Sequence, residues 1–276
     1  MAEFGEEDLS GSTFDWTDLS GSTFRAASLS NVTIRGTDLH HVKMTGVELW
    51  DVDISGEVRG LRINGVDVTA FVEEELARRE PDLARMHPED PAGFREAWDL
   101  LENLWDGTVE RARRLDAAQL HEQVDGEWSF IETLRHLSFA TASWVHRAIG
   151  GDPAPWHPLD LPWDEAPEGR GFPRDRSARP SLDEVLGLRR GRQADVRRVI
   201  EGLTDESLAA ETTPPDDAGW PPPRPFPVKE CLSIVLNEEW WHRTYAERDL
   251  AVLEKHPQEA GPGLVTLTTR DPDEAL

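Results

Sequence analysis

Apolar residues recur at every fifth position through the first part of the chain. Neither an α-helix, with about 3.6 residues per turn, nor a flat strand, which alternates, has this spacing. A small or β-branched residue stands two positions before nearly all of them, so two residues in every five are expected to face inward. The pattern predicts a tight coil with flat faces that ends after Ile54, with residues 60–65 finishing the last coil. The every-fifth residues are Phe4, Leu9, Phe14, Leu19, Phe24, Leu29, Ile34, Leu39, Met44, Leu49 and Ile54.

These five-residue units resemble a known repeat. Residues 17–21 (TDLSG) and 37–39 (TDL) are similar to the pentapeptide-repeat family, whose members form a right-handed, quadrilateral β-helix with four units per turn. The resemblance implies a short β-solenoid domain, which we assign to residues 1–68.

The role of this domain has two interpretations. It could be a docking or solubilising cap, or it could protect a topoisomerase, because some pentapeptide-repeat proteins resemble DNA. Fewer than three coils at about 4.8 Å per layer make a rod of roughly 14 Å, which imitates only about four base pairs of duplex. The short length therefore favours the cap.

After residue 68 the apolar residues of the chain are spaced as in helices. Residues 69–79 read as an acidic helix within a connector over 69–92, and residues 256–276 read as an irregular tail with a short strand at 264–269. Between them, apolar periodicity and start signals predict four helices that form a bundle over residues 93–255. Their predicted ranges are about 94–115, 129–149, 181–203 and 228–253, and Ser129 with Glu132 and Ser181 with Glu184 form capping boxes at two of the starts. The chain is thus expected to be an α+β multidomain protein.

Two segments of the predicted bundle resemble the DinB/YfiT-like superfamily. In residues 127–137 (EWSFIETLRHL) a Trp-Ser pair opens the second helix and His136 follows, at the place of a metal-binding histidine. Residues 237–243 (NEEWWHR) are similar to the last-helix motif of two ligands four residues apart, of which the first is usually His and is Glu238 here. The resemblance covers roughly residues 93–255 and implies that His136, Glu238 and His242 bind one metal ion.

Helical geometry agrees with this ligand set. Residues four apart project from one face of a helix, so Glu238 and His242 can hold an ion together with His136 from a facing helix. Two histidines and one carboxylate suit zinc, which is the leading candidate, with iron or nickel as alternatives. The resemblance further implies a low-molecular-weight thiol such as mycothiol, and a transferase or isomerase reaction on a small molecule.

Other interpretations of the same residues stay open. His136 could be a hydrogen-bonded core histidine, and Glu238 and Glu239 could lie on a solvated helix face. The helical domain could bind or sequester a metal or a small molecule without catalysis. His146, ten residues after His136, lies nearly a quarter turn off the face of His136 and is not a candidate ligand.

Aromatic residues supply candidates for a substrate pocket. The chain has 11 Trp, several of them in a long Pro- and Trp-rich crossing between the second and third helices, which could act as a lid. Core packing is the alternative role for these side chains. The candidate substrate-binding residues are Trp128, Trp156, Trp163, Trp241 and Tyr245.

Composition narrows the setting. A formal net charge of -25 disfavours binding to nucleic acids and to anionic membranes. The single cysteine, Cys231, cannot form an internal disulfide, and neither a secretory leader nor a run of apolar residues long enough to span a membrane is recognisable. We therefore expect a cytoplasmic, soluble protein. DinB-like bundles often dimerise through helix faces, so a homodimer is a further expectation.

Overall fold

The chain forms two compact units, one up to residue 57 and one from residue 58. The structure is a computed structural model and describes residues 4–5, 7–14, 17–34, 37, 39–56, 58–164, 166 and 171–255. The tail predicted at 256–276, with its strand at 264–269, lies outside the described residues.

The first unit carries the five-residue period in its backbone. A residue with positive φ recurs at positions that differ by five or ten: Gly11, Gly21, Ala26, Asn31, His41, Gly46, Asp51 and Gly56. Gly, Asn and Asp tolerate this left-handed conformation better than other residues, which explains most of these positions. The described part of this unit contains turns and bends without an assigned strand, so the β-helix itself stays a prediction.

The apolar side chains of the repeat are exposed rather than buried within the first unit. Their exposed fractions lie between 41% for Leu19 and 64% for Phe4, whereas the sequence pattern predicted inward-facing positions. A solenoid coil buries its inner face only against neighbouring coils, and a segment this short has few of them.

The second unit begins with a small hairpin and continues in helices. Strands β1 (Arg62–Ile63) and β2 (Val66–Asp67) pair antiparallel, with Arg62 opposite Asp67. Asn64 and Gly65 form the turn, and both have the positive φ that an Asn-Gly hairpin turn requires. The helices are α1 (Thr69–Arg79), α2 (Pro91–Ala112), α3 (Phe130–Thr141), α4 (Leu182–Glu201), α5 (Asp205–Leu208) and α6 (Val228–Leu253), with 3-10 turns at Leu83–Met86 and Gln119–His121.

Four long helices form the bundle. Helix α3 packs against α4 and α6, and α2 packs against α6 and α4. Every residue of α3 is buried, so α3 is the central helix of the unit. The apolar side chains that fill the bundle include Phe94, Trp98, Leu101, Leu134, Leu137, Val196, Val235, Leu236 and Leu250. Among the described residues, no helix combines the length and apolar character needed to cross a membrane.

The helix starts agree with the sequence pattern, whereas the end of the second predicted helix does not. Both capping boxes are present, at Ser129 with Glu132 and at Ser181 with Glu184. The helix predicted over 129–149 is an α-helix only to Thr141 and continues as a π-helix over Ala142–Ile149. The fully buried guanidinium of Arg147 in this wider turn donates to the carbonyls of Pro153, Asp217 and Pro221, which are acceptors that sequence periodicity does not reveal.

Candidate metal centre

Helices α3 and α6 bring three candidate ligands together. His136 lies in the middle of α3, and Glu238 and His242 lie one turn apart on α6. The Nε2 atoms of His136 and His242 are 3.3 Å and 3.0 Å from Oε2 of Glu238. One potential ligand atom from each of the three residues lies within 4.8 Å of the others, and this is the one such group of His, Cys, Asp or Glu among the described residues.

A backbone carbonyl fixes the tautomer of His136. Its Nδ1 is 3.1 Å from the carbonyl oxygen of Leu161, which can only accept, so the proton resides on Nδ1. Burial, the largest cause, lowers the pKa of His136, so the ring is neutral and Nε2 carries a lone pair. Metal-ligating histidines usually donate their other ring N–H to such an acceptor, so the arrangement of His136 is compatible with a ligand role.

Glu238 presents a negative charge to this lone pair. A neutral imidazole with a lone pair at Nε2 and an ionised carboxylate 3.3 Å away are two acceptors that face each other. A cation between them would convert this repulsion into coordination.

The three side chains remain accessible to solvent to different degrees. The exposed fraction of the side chain is 8% for His136, 20% for His242 and 31% for Glu238. Three protein ligands would leave coordination positions of the cation open to other molecules. Water or a small molecule could reach these positions from the side of Glu238 and His242, whose side chains are partly exposed.

Aromatic rings surround the two imidazoles. The indole of Trp128 lies 4.5 Å from the ring of His136 and is stacked on His242 at 5.6 Å with 6° between the planes. Trp128 directly precedes the helix cap Ser129, and its Nε1 donates to Asp164 at 3.2 Å. The residues at the N-terminus of α3 therefore both start the helix that carries His136 and position the indole that lies against it.

Two protein families match separate parts of the chain. A model of the DinB superfamily matches residues 100–246, which is more than half of the chain. The chain belongs to the DinB superfamily. A model of pentapeptide repeats matches eight copies over residues 8–51, so both resemblances drawn from the sequence are confirmed. Searches of curated proteins and of solved structures gave no match.

Trp241 and Tyr245 flank His242 on α6 of the DinB domain. The ring of Tyr245 is edge-on to the imidazole of His242 at 6.1 Å, and Trp241 stacks on Tyr245 at 6.2 Å. Burial raises the pKa of the Tyr245 hydroxyl, so it remains protonated at neutral pH.

Trp156 and Trp163 lie one layer further from the candidate ligands. Both rings pack on Phe139, whose ring stacks on His136 at 6.3 Å. Of the five predicted substrate-binding residues, Trp128 and Tyr245 therefore contact the rings of candidate ligands directly. Trp241 contacts Tyr245, and Trp156 and Trp163 contact Phe139.

The two adjacent glutamates of α6 have different environments. Glu239 is 1% exposed, and its two oxygens accept hydrogen bonds of 2.9 Å and 2.8 Å from the guanidinium of Arg189 on α4. A solvated face, one interpretation of the sequence, is thus wrong for Glu239. Glu238 points instead towards His136 and His242.

Sequence reasoning missed several neighbours of the site. Leu161, Asp164 and Phe139 contact the candidate ligands or Trp128, and Leu161 does so through its carbonyl, which any residue type would supply. His146 is not part of this group of candidate ligands; its Nε2 lies 3.0 Å from Asp195 and its Nδ1 accepts from Arg192.

Proposed function

We propose that the DinB domain is a metal-dependent small-molecule enzyme in which His136, Glu238 and His242 hold one divalent cation. The observation that carries the proposal is that one potential ligand atom from each of these three residues lies within 4.8 Å of the others. Metal binding is general in the superfamily to which this domain belongs.

The ligand chemistry favours zinc. Zinc accepts histidine nitrogen and carboxylate oxygen in sets of three protein ligands that leave one position open for catalysis. Two histidines with one carboxylate also suit non-haem iron, and nickel accepts the same donors, so the cation is to be identified by measurement.

We further propose that the reaction is a transfer or isomerisation that uses a low-molecular-weight thiol such as mycothiol. A divalent cation favours the deprotonated form of a thiol, which is the nucleophile, at neutral pH. The thiol of the chain itself does not fit this role, because Cys231 is fully buried and burial raises its pKa to about 12. The nucleophile would therefore come from a small molecule, which suits a reducing cytoplasm.

The aromatic side chains support an apolar pocket beside the cation. Small-molecule sites are mostly apolar with a few polar groups that fix orientation. The faces of Trp128 and Tyr245 next to His242 would contact the substrate or the thiol carrier, while Trp241, Trp156 and Trp163 would hold these rings in place.

For the N-terminal segment we propose the right-handed β-helix of pentapeptide repeats. The recurrence of left-handed residues at every fifth or tenth position supports it, because corners at this spacing give flat faces of five residues. Slow amide exchange across residues 8–51 would support stacked coils, and exchange at the rate of an unfolded peptide would refute them.

Metal content and turnover test the proposed function together. Purified protein should contain about one equivalent of metal, and His242→Ala and Glu238→Gln should each lose most of it. The matched controls are His87→Ala and Glu230→Gln, which change exposed residues of the same types. Turnover with a panel of thiols and electrophiles should follow metal content across these variants.

The possible results separate the rival functions. Stoichiometric metal with no turnover on any pair would favour a binding or sequestering protein. Equal metal content in His242→Ala and His87→Ala would show that His136, Glu238 and His242 are not the ligands of a functional metal ion. A function that resides in the repeat, such as topoisomerase protection, would survive both substitutions unchanged.

A further inference from the structure

Arg135, the residue before His136, has an unusual environment for a charged side chain. It is fully buried, and burial lowers its pKa. Its hydrogen-bond acceptors are backbone carbonyls: Nε donates to Leu159 at 2.7 Å, Nη2 to Asp175 at 2.5 Å and Nη1 to Ala178 at 3.5 Å. Burying a guanidinium is costly unless its donors are satisfied, and backbone carbonyls from another segment satisfy them here.

The three carbonyls belong to two distant parts of the crossing between the π-helix and α4. Leu159 lies in its first half, and Asp175 and Ala178 lie near its end. The carboxylate of Asp175 accepts from the backbone and hydroxyl of Ser177 and from the backbone of Ala178, at 2.6 to 3.1 Å. This turn orients the carbonyls that the guanidinium binds.

The chain between these two parts contacts the candidate metal centre. The backbone N–H of Leu161 donates to the carbonyl of Arg135 at 3.3 Å, and the carbonyl of Leu161 accepts from Nδ1 of His136 at 3.1 Å. Leu161 is fully buried. One guanidinium therefore ties together the segment whose carbonyl sets the tautomer and ring orientation of His136.

We propose that Arg135 is a positioning residue of the metal centre. It holds the backbone at Leu159, Asp175 and Ala178 so that the carbonyl of Leu161 keeps Nε2 of His136 directed at Glu238. This inference deepens the proposed function and rests on it. A hydrogen bond to the second nitrogen of a ligand histidine typically changes metal affinity by about 10- to 100-fold, and Arg135 would act through that bond.

The test compares two buried arginines in the full-length protein. In Arg135→Lys the single ammonium group cannot reach three carbonyls in the planar arrangement of a guanidinium. Arg147→Lys is the control, because Arg147 is also fully buried and also binds backbone carbonyls, at Pro153, Asp217 and Pro221. Arg147 differs from Arg135 in an additional ion pair with the carboxylate of Asp217 at 3.2 Å. Asp175→Ala is a milder variant at an exposed residue, in case Arg135→Lys does not fold.

Two measurements are made on each variant. Titration with Co²⁺ should give a dissociation constant about 10- to 100-fold higher for Arg135→Lys, a smaller rise for Asp175→Ala and little change for Arg147→Lys. Hydrogen exchange on the metal-free proteins should be faster at Leu161 in Arg135→Lys and Asp175→Ala but not in Arg147→Lys.

The results separate this inference from the function on which it rests. Equal losses of affinity in Arg135→Lys and Arg147→Lys, or unchanged exchange at Leu161 in Arg135→Lys, would overturn the positioning role while leaving the metal centre intact. Identical Co²⁺ binding by the unmodified protein and by His242→Ala would overturn the metal centre, and the positioning role with it.

Discussion

The indole of Trp128 is stacked on the imidazole of His242, with 5.6 Å between the ring centroids and 6° between the planes. Trp128 comes from the loop that enters α3, whereas His242 comes from α6, so the stack links the two helices that carry the candidate ligands. The same indole lies 4.5 Å from His136.

Removal of this stack should weaken metal binding. Trp128→Ala should raise the dissociation constant for Co²⁺ by about 2- to 12-fold, since an aromatic pair contributes about 0.5–1.5 kcal/mol and one tenfold change corresponds to about 1.4 kcal/mol. Trp128→Phe keeps a ring over His242 and should bind nearly as well as the unmodified protein. Equal weakening in both variants would assign the effect to the hydrogen bond with Asp164 instead.

The neighbouring residues Glu238 and Glu239 should respond in opposite ways to substitution. Glu239→Ala leaves Arg189 as a buried charge without its partner, so it should lower the free energy of unfolding by about 3–5 kcal/mol in a urea titration. Glu238→Ala should cost less than about 1 kcal/mol in the metal-free protein while abolishing high-affinity metal binding. A large loss of stability in Glu238→Ala would indicate that its role is structural.

His146 should make the stability of the protein depend on pH below about 6.5. Burial, and then the positive charge of Arg192, lower the pKa of His146 below its ordinary value, although Asp195 and Asp152 oppose this. The neutral form is therefore favoured in the folded state, and its stabilising contribution is present above the unfolded pKa and is lost as the pH falls through and below it.

Comparison with His146→Gln isolates this contribution. Glutamine keeps an acceptor for Arg192 and a donor for Asp195 but does not titrate. The free energy of unfolding of the unmodified protein should fall relative to that of the variant between about pH 7.5 and about pH 5.5. A constant difference between the two proteins over this range would contradict the assigned environment.

The thiol of Cys231 should be inert in the folded protein. It is fully buried on α6, and burial raises its pKa to about 12, so very little thiolate exists at neutral pH. A thiol reagent should react with Cys231 only after denaturation, and Cys231→Ala should retain metal binding and turnover. Rapid labelling of the native protein would refute this environment, and loss of turnover alone in Cys231→Ala would give the thiol a catalytic role.

Much of the helical unit could be predicted from local signals. Helix α6 was predicted at its observed bounds, and both capping boxes were found, because a cap depends on residues three positions apart. The convergence of His136, Glu238 and His242 followed from the family motif and from the i, i+4 geometry of α6. These features reside in short segments with fixed spacing.

The features that escaped prediction depend on contacts between distant segments. The partner of Arg135 is a set of carbonyls 24 to 43 residues away, and backbone carbonyls leave no trace in residue identity. Glu239 and Arg189 lie 50 residues apart, and nothing in the local sequence distinguishes Glu239 from Glu238. The π-helix at Ala142–Ile149 has ordinary helix-forming periodicity, so only its tertiary contacts mark it.

The most direct test of the account is the position of a metal ion in crystals of the protein grown with Zn²⁺. Anomalous scattering at the zinc edge should give one strong peak, about 2.0–2.2 Å from Nε2 of His136, Nε2 of His242 and a carboxylate oxygen of Glu238. The absence of an anomalous peak between α3 and α6, in crystals that bind zinc at other positions, would contradict the account. A crystal structure in which these three side chains point away from one another would contradict it as well.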